Sequence, residues 1–482
     1  MSKEMVKFNQ VTLAASIGAL LSLSTVAFAG QGLTSLSDEE MAKQTGQVLF
    51  NASYLAPSDS GNFESANNVG FYKLGLEAEL QINANIKKLQ LGCGGTNGAN
   101  GCDIDIDNLS LSGNSATREG RVGSDAVLTN PFIEFAIKNP DSASLREVVG
   151  FRVSSEKMQG LLTAGTANSS TANGINSISG YMQVQSDSSG VIKGYAKTAQ
   201  ARDNLYGPNE VQGTLQALGL GGVAEADFKT TNGGFNVPAI NNNYFETPAI
   251  KVNGTRIKSV TLSAPVKVPN IYVGNGADYP VAGTVQYNAT PHQAGIPEPS
   301  AIYTQGGPVE ATVTQCRVIA CVIAPNGTKF PNVYMNGTIS NITANLNLQQ
   351  SLGLIHSLPI DSPFYLSLQK NAMHWPGAKA DDIAQKGWWL SLADPVNIGN
   401  VNPVDPIDIS PLFPQISTFV SQYLQANPAK TNDLAGLLNI GDLTANIGTI
   451  DLKDAPLTLN LSNLQLTNQD FVPNCYGGLT FC

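Results

Sequence analysis

Three aspartates lie at every second position of one short segment, at Asp103, Asp105 and Asp107. In a strand these carboxylates would share one face, where a hard cation such as calcium could bind them. An EF-hand loop is excluded, because Asn108 stands where that loop needs glycine and Asn114 where it needs glutamate. The alternative, which we favour, is a strand with its aspartates in water and the intervening isoleucines in the core. We therefore predict no cofactor, with calcium as the one candidate.

The three tryptophans, Trp375, Trp388 and Trp389, fall within fifteen residues of one another. Aromatic rings can contact a partner or stack on a sugar, so this segment is a candidate binding site for a protein or a carbohydrate. Neighbouring residues of a strand point to opposite faces, so at most one of Trp388 and Trp389 is expected to be buried. Core packing is the alternative role, since large aromatic side chains mostly serve packing.

Motifs of enzymes are missing from the sequence. It contains no GxSxG elbow, no HExxH motif and no P-loop, and its histidines, His292, His356 and His374, are scattered singly. One dinucleotide-like glycine segment, 219–224, has no preceding strand pattern. We therefore predict that the protein is not an enzyme and assign no catalytic residue.

The six cysteines form three close pairs: Cys93 and Cys102, Cys316 and Cys321, and Cys475 and Cys482. Loop-closure entropy favours disulfides within the pairs over bridges between them. A zinc site is the alternative, but no CxxC motif pairs with another and no histidine is close in sequence. Local disulfides predict an oxidising compartment.

The N-terminal residues have the pattern of a secretory signal peptide. Lys3 and Lys7 precede an apolar stretch at 11–21, and Ala27–Ala29 forms a small-x-small site. This pattern predicts a signal peptide at 1–29 with cleavage before Gly30, and an uncleaved anchor helix is the alternative. Because the first mature residue is not cysteine, lipid anchoring is not expected. The predicted location is beyond the inner membrane, in the periplasm, the outer membrane or at the cell surface.

The composition excludes several classes of protein. The 482 residues are 42% hydrophobic and 13% charged, which is too apolar for a disordered chain. The formal net charge of −10 argues against binding to nucleic acid or to anionic membranes. No run after the signal approaches the roughly 20 apolar residues of a membrane helix, so none is expected in the mature chain.

Alternating apolar residues predict a mainly β fold. The run from Leu74 to Ile86 predicts one long half-buried strand, and a disulfide-closed hairpin is expected around the first cysteine pair. Helical patterns are rare: a capping box predicts a short helix at 38–45, and an amphipathic pattern predicts a helix of about three turns at 416–424. We expect extended antiparallel sheets, sandwich-like or elongated, with a few short helices.

Turn-rich stretches divide the chain into a signal peptide and three predicted β regions: 1–29, 30–162, 174–350 and 351–482. The first β region would contain the capped helix and the disulfide hairpin, and the last would contain the amphipathic helix. The alternation also fits an outer-membrane barrel, but many apolar rows have no flanking Tyr or Trp girdle.

Three stretches resemble a known group of exported proteins: 36–47, which reads LSDEEMAKQTGQ; 128–137 with 146–150, LTNPFIEFAI and REVVG; and 387–392, GWWLSL. They are similar to gammaproteobacterial surface antigens and pilus-assembly proteins of the FilA type. The resemblance implies a role in the envelope or in fimbriae and brings no catalytic residues.

Together these features predict an exported, non-enzymatic protein of the envelope or cell surface, associated with fimbrial assembly or adhesion. Its expected partners are other envelope or fimbrial proteins. The alternative is a secreted module that binds carbohydrate or calcium.

Overall fold

A computed structural model describes residues 50–166, 168–202, 210–218, 223–232, 236–274, 283–288, 292–317, 319–438 and 440–469. The predicted signal peptide, the helix predicted at 38–45 and the pair Cys475 and Cys482 lie outside these residues. Strands dominate the described chain and helices are few and short, so the predicted mainly β fold is confirmed.

The described strands, in chain order, are β1 (Phe50–Leu55), β2 (Val69–Leu76), β3 (Glu79–Ile82), β4 (Ala84–Leu91), β5 (Ile104–Ser112), β6 (Ala126–Lys138), β7 (Glu147–Thr163), β8 (Ile175–Gln185), β9 (Val191–Ala196), β10 (Ala201–Arg202), β11 (Gln212–Leu218), β12 (Val223–Asn232), β13 (Asn236–Val237), β14 (Asn243–Pro248), β15 (Ile250–Ile257), β16 (Ser259–Lys267), β17 (Asn270–Val273), β18 (Thr284–Asn288), β19 (Glu298–Thr304), β20 (Val309–Arg317), β21 (Lys329–Ser340), β22 (Thr343–Ser351), β23 (Ser357–Gln369), β24 (Gly387–Leu392), β25 (Val396–Asn397), β26 (Ala429–Thr431), β27 (Leu443–Asp451) and β28 (Leu457–Ser462). In the same described ranges, the α-helices are α1 (Arg118–Val122), α2 (Ala320–Ile323), α3 (Phe413–Ala426) and α4 (Leu434–Leu437), and short 3-10 helices occupy Ser65–Asn67, Leu352–Leu354, Ser410–Leu412 and Thr467–Gln469.

The first sheet contains twelve strands in the order β1-β2-β6-β7-β23-β24-β8-β5-β4, with β3 joined to β6 and both β15 and β25 joined to β8. The end of β7 also pairs with β5, so β7, β23, β24, β8 and β5 close a ring. Strands from all three predicted β regions contribute to this sheet, and they belong to one compact unit, Leu49–Cys482.

The second sheet contains nine strands in the order β18-β19-β17-β21-β20-β12-β11-β26-β27, and a further pairing of β21 with β27 closes a six-stranded ring. Helix α3 packs on this sheet with Phe413, Val420 and Leu424 buried. It approaches β11 at Gly213, where an added Cβ would lie 2.7 Å from the Leu424 Cβ. The predicted amphipathic helix is therefore confirmed.

Smaller sheets complete the fold: β16-β22-β28, β9 with β14, and β10 with β13. Among the described residues, no helix is both long enough and apolar enough to cross a membrane.

The prediction of one long strand from Leu74 to Ile86 was wrong. The chain forms β2, β3 and β4 in turn, because it changes partners: β2 and β3 pair with β6, whereas β4 pairs with β5. At the first break the Ala78 amide donates to the Leu76 carbonyl at 3.0 Å. At the second break the side-chain amide of Asn83 donates to the Ser124 carbonyl at 2.7 Å. Alternation of side chains identifies a strand's faces but carries no information about its partner.

Two of the three predicted disulfides lie among the described residues and both are confirmed. Cys93 and Cys102 are bonded at the end of the β4–β5 hairpin, where Leu91 pairs with Ile104. The second disulfide joins Cys316 on β20 to Cys321 on α2. These bonds are compatible with a protein of an oxidising compartment.

Replacing Cys93 and Cys102 together by serine is expected to lower the free energy of unfolding by at most about 2–3 kcal/mol, because the closed loop is short. Urea denaturation of the variant and the native protein measures this difference. Peptide mapping of unreduced protein should also join Cys475 to Cys482, and any bridge between different pairs would contradict the local pairing.

Candidate interaction surface

The part of the first sheet formed by β2, β6, β7, β23 and β24 has two very different faces. One face is covered by residues 370–386, the segment that joins β23 to β24, which we call the covering segment. Trp375 of this segment is fully buried against Phe71 of β2. Trp389 of β24 points to the same side and is also fully buried. These two tryptophans therefore anchor the core and are not accessible to a ligand.

A buried carboxylate organises this covered face. Asp382 accepts hydrogen bonds from the Trp389 indole at 2.9 Å, the Tyr365 hydroxyl at 2.7 Å and the Ser391 hydroxyl at 2.6 Å. Burial, and then the charge of Asp382, raises the pKa of Tyr365 well above its ordinary value. The phenol therefore remains a hydrogen-bond donor at any physiological pH.

A buried ion pair lies on the same face. Glu134 of β6 and Arg152 of β7 are 3% and 4% exposed, and the Arg152 Nε donates to the Glu134 carboxylate at 2.5 Å. Arg152 also donates to the Pro376 carbonyl at 2.8 Å, so it ties the covering segment to the sheet. Removal from water raises the pKa of Glu134 and lowers that of Arg152, and their mutual attraction opposes both shifts.

The opposite face of the same strands carries two parallel rows of apolar side chains, which we call the apolar face. The ladder pairs place the following residues side by side from β1 to β24: Tyr54, Tyr72, Phe135, Phe151, Leu368 and Trp388 in the first row, and Ala52, Leu74, Ile133, Val153, Leu366 and Leu390 in the second. Because each strand contributes residues two apart, all twelve side chains lie on one side of the sheet. None of them is charged.

Much of the apolar face is open to solvent. Leu74 is 45% exposed and Phe135 is 38% exposed, although both are large apolar side chains. Exposure is greatest toward β1, whereas Trp388 and Leu390 are half-buried and pack on the neighbouring core. Phe50 beside them is 49% exposed, and Tyr54, Tyr72, Val153 and Leu368 are each 37–40% exposed, so the open part of the apolar face extends from β1 to β23.

Ring contacts order the aromatic row. Tyr54 and Tyr72 stack with their centroids 4.3 Å apart, and Phe135 and Phe151 lie 5.3 Å apart. Desolvation and the hydrogen bond with Tyr72 raise the pKa of Tyr54 to about 12. The apolar face therefore remains uncharged at physiological pH, and it can bind another apolar surface but offers no charged group for catalysis or for a metal.

The structure separates the three aspartates proposed as calcium ligands. Asp103 is buried and receives hydrogen bonds from Arg256 at 3.0 Å, from Asn97 at 2.9 Å and from the Trp388 amide at 3.1 Å. The Arg256 guanidinium also donates to three carbonyls of the disulfide loop: Gly92, Gly98 and Asn100. Asp103 and Arg256 therefore hold this loop against the end of β24.

Asp105 and Asp107 contact a different cation. Lys88 Nζ lies 2.6 Å from Asp105 and 2.8 Å from Asp107. Burial alone raises the pKa of Asp105, but hydrogen bonds from Lys88, Gln90 and Asn176 outweigh it and lower that pKa below its ordinary value. Among the described residues, no group of three or more His, Cys, Asp or Glu side chains is arranged to hold a metal.

Removing calcium is expected to leave the melting temperature unchanged, because protein donors already contact the carboxylates of Asp103, Asp105 and Asp107. Thermal unfolding with and without EDTA tests this expectation. A fall in melting temperature that added calcium reverses, and that is lost when the three aspartates are replaced by asparagine, would contradict it.

The three histidines lie in separate surroundings. His292 is an exposed partner of Glu298, at 2.8 Å, and stacks on Tyr244. His374 forms a hydrogen bond with the covering segment, with its Nε2 2.8 Å from the Lys379 carbonyl. His356 is fully buried, with its Nδ1 2.9 Å from the Ala164 carbonyl.

Burial lowers the pKa of His356 below its ordinary value of 6.5. The unfolded chain therefore binds a proton at a higher pH than the folded one. Stability is lost as the pH falls from about 6.5 toward the folded pKa, by about 1.4 kcal/mol for each pH unit that separates the two pKa values. Urea denaturation at pH 7 and pH 5 should show a smaller pH dependence for His356→Gln than for the native protein. A His356→Gln variant that keeps the full pH dependence of the native protein would contradict this role.

Of the twelve residues of the apolar face, only Trp388 is a binding residue predicted from the sequence. Its strands come from distant parts of the chain, and only their pairing brings the rows together. The available signal was the aromatic content of individual strands, such as Tyr72 in β2 and Phe135 in β6.

No family model, no curated protein and no solved structure matches this chain.

Proposed function

We propose that this protein is an exported, non-enzymatic component of the cell envelope or cell surface, associated with fimbrial assembly or adhesion. It acts by protein–protein contact through the apolar face. The observation that carries this proposal is an uncharged array of twelve apolar residues across six strands that is open to solvent from β1 to β23.

The apolar face supports binding rather than packing within the described chain. Strands β2, β6, β7, β23 and β24 are covered on their other side, where Trp375, Trp389 and the Glu134–Arg152 pair are buried. A sheet that is covered on one side and apolar on the other is typical of a surface that meets a partner.

The segments that resemble FilA-type proteins support the envelope role. The stretch 128–137 lies within β6 and supplies Ile133 and Phe135, and the stretch 387–392 forms β24 and supplies Trp388 and Leu390. Two of the three stretches behind the resemblance therefore contribute directly to the apolar face. The predicted signal peptide and the two disulfides agree with export.

A complementation experiment tests this proposal. A strain that lacks the protein would receive the native chain, the face variant Leu74→Ser/Phe135→Ser, or the control Leu145→Ser, whose position is 64% exposed and lies outside the apolar face. We expect the native chain and the control to restore fimbriation and attachment, and the face variant to be exported normally without restoring either. Full restoration by the face variant, or recovery of the native chain in the cytoplasm, would overturn the proposal.

A further inference from the structure

We propose that the occupant of the apolar face is a second copy of this chain, bound face to face about a two-fold axis. This inference rests on the proposed function, because it names the partner of the same surface. A two-fold dimer presents the same patch from both copies, which requires a patch that is complementary to itself.

The apolar face meets that requirement in composition. Its twelve side chains carry no charge, so two copies can meet without placing like charges together, although the chain as a whole has a formal charge of −10. At one end of the strands the rim carries both signs, with Lys370 Nζ 2.6 Å from Glu147. An anionic membrane is a poorer occupant, because the acidic chain is repelled by it.

The two rows are also complementary in size. A two-fold axis that runs between the rows and parallel to them would lay the first row of one copy over the second row of the other. Tyr54 would then face Ala52, Tyr72 would face Leu74 and Phe135 would face Ile133 of the second copy. Large side chains opposite smaller ones allow two sheets to interdigitate.

The exposed area reaches what a specific interface needs. Seven large apolar side chains of this face and its edge are 37–49% exposed, and at roughly 200 Å² for a whole side chain they offer on the order of 550 Å² per copy, or about 1,100 Å² in total. The two ends of the chain outside the described residues are the competing occupants. Residues 30–49 include Asp38, Glu39, Glu40 and Lys43, which fit an uncharged surface poorly, whereas residues 470–482 carry one charged side chain, so removal of each segment is part of the test.

Sedimentation of the mature chain, residues 30–482, tests the proposal. We expect dimers at about 10 µM, and at least a 100-fold weaker dimer for Leu74→Glu/Phe135→Glu, with circular dichroism showing that the variant is folded. The control Leu145→Glu should dimerise like the native chain. If the glutamate variant does not fold, Tyr54→Ser/Leu368→Ser replaces it.

Three results would overturn the second copy as occupant: a native chain that stays monomeric at 100 µM, a dimer that survives in the folded face variant, or a monomer that dimerises only after residues 30–49 or residues 470–482 are removed. The outcome is separable from that of the proposed function. A monomeric native chain whose face variant still loses fimbriation would remove the second copy and leave the function standing. A dimer that depends on the apolar face, but whose loss leaves fimbriation and attachment intact, would keep the second copy as occupant and overturn the proposed function.

Discussion

Replacing Trp389 by alanine is expected to lower the free energy of unfolding by about 3–5 kcal/mol. The side chain is fully buried in the core between β24 and the covering segment, so the substitution leaves a cavity. It also removes the indole donor that lies 2.9 Å from Asp382, which leaves a buried carboxylate with one donor fewer. Urea denaturation followed by circular dichroism measures the change.

Trp388→Ala is the matched control, because it removes the same side chain from the next position of the same strand. Trp388 is half-buried on the apolar face, so its loss should cost about 1–2 kcal/mol and leave the protein folded. Equal destabilisation by the two substitutions would contradict the difference in burial between the two faces of β24.

Replacing Arg152 by methionine is also expected to cost about 3–5 kcal/mol, because it leaves the Glu134 carboxylate buried without its partner. The pKa of Glu134, already raised by burial, should then rise further. A raised folded pKa means that stability is lost as the pH rises through it, so the variant should be weaker at pH 7 than at pH 5 relative to the native protein. Urea denaturation at the two pH values measures both effects.

A double-mutant cycle separates the ion pair from the packing of the arginine. The double variant Glu134→Gln/Arg152→Met should lose less stability than the sum of its two single variants, because it leaves no unpaired buried charge. Additive effects of the two substitutions would contradict the account of a coupled buried pair.

Local features of the fold could be predicted from the sequence. Helix α3 was predictable because its apolar spacing and the prolines at 414 and 428 lie within one short segment. The β4–β5 hairpin was predictable for the same reason, since the Cys93–Cys102 pair closes a short loop.

Features set by pairing between distant strands could not be predicted in this way. The run from Leu74 to Ile86 has the period of one strand, yet the chain divides it between the partners β6 and β5. The alternating aspartates suggest one shared face, but the link between Asp103 and Arg256 spans 153 positions. No local pattern contains the identity of such a partner.

The apolar face shows the same limit. Tyr54 and Tyr72 are near in sequence, but their row continues through Phe135 and Phe151 to Leu368. Each strand alone looks like an ordinary half-buried strand with one apolar side. The feature that suggests function, an apolar side left open to solvent over the five strands from β1 to β23, exists only in the assembled sheet.

The central claim, that the apolar face meets a partner in the envelope, can be tested most directly by thiol labelling in intact cells. Leu74→Cys places a cysteine on the apolar face, and Leu145→Cys places one outside it, at positions that are 45% and 64% exposed in the single chain. With a small maleimide, we predict that the cysteine at 74 reacts at least tenfold more slowly than the cysteine at 145, although the two should react at similar rates in the separated chain. Similar rates in intact cells would mean that the apolar face stays open to water and would contradict the claim.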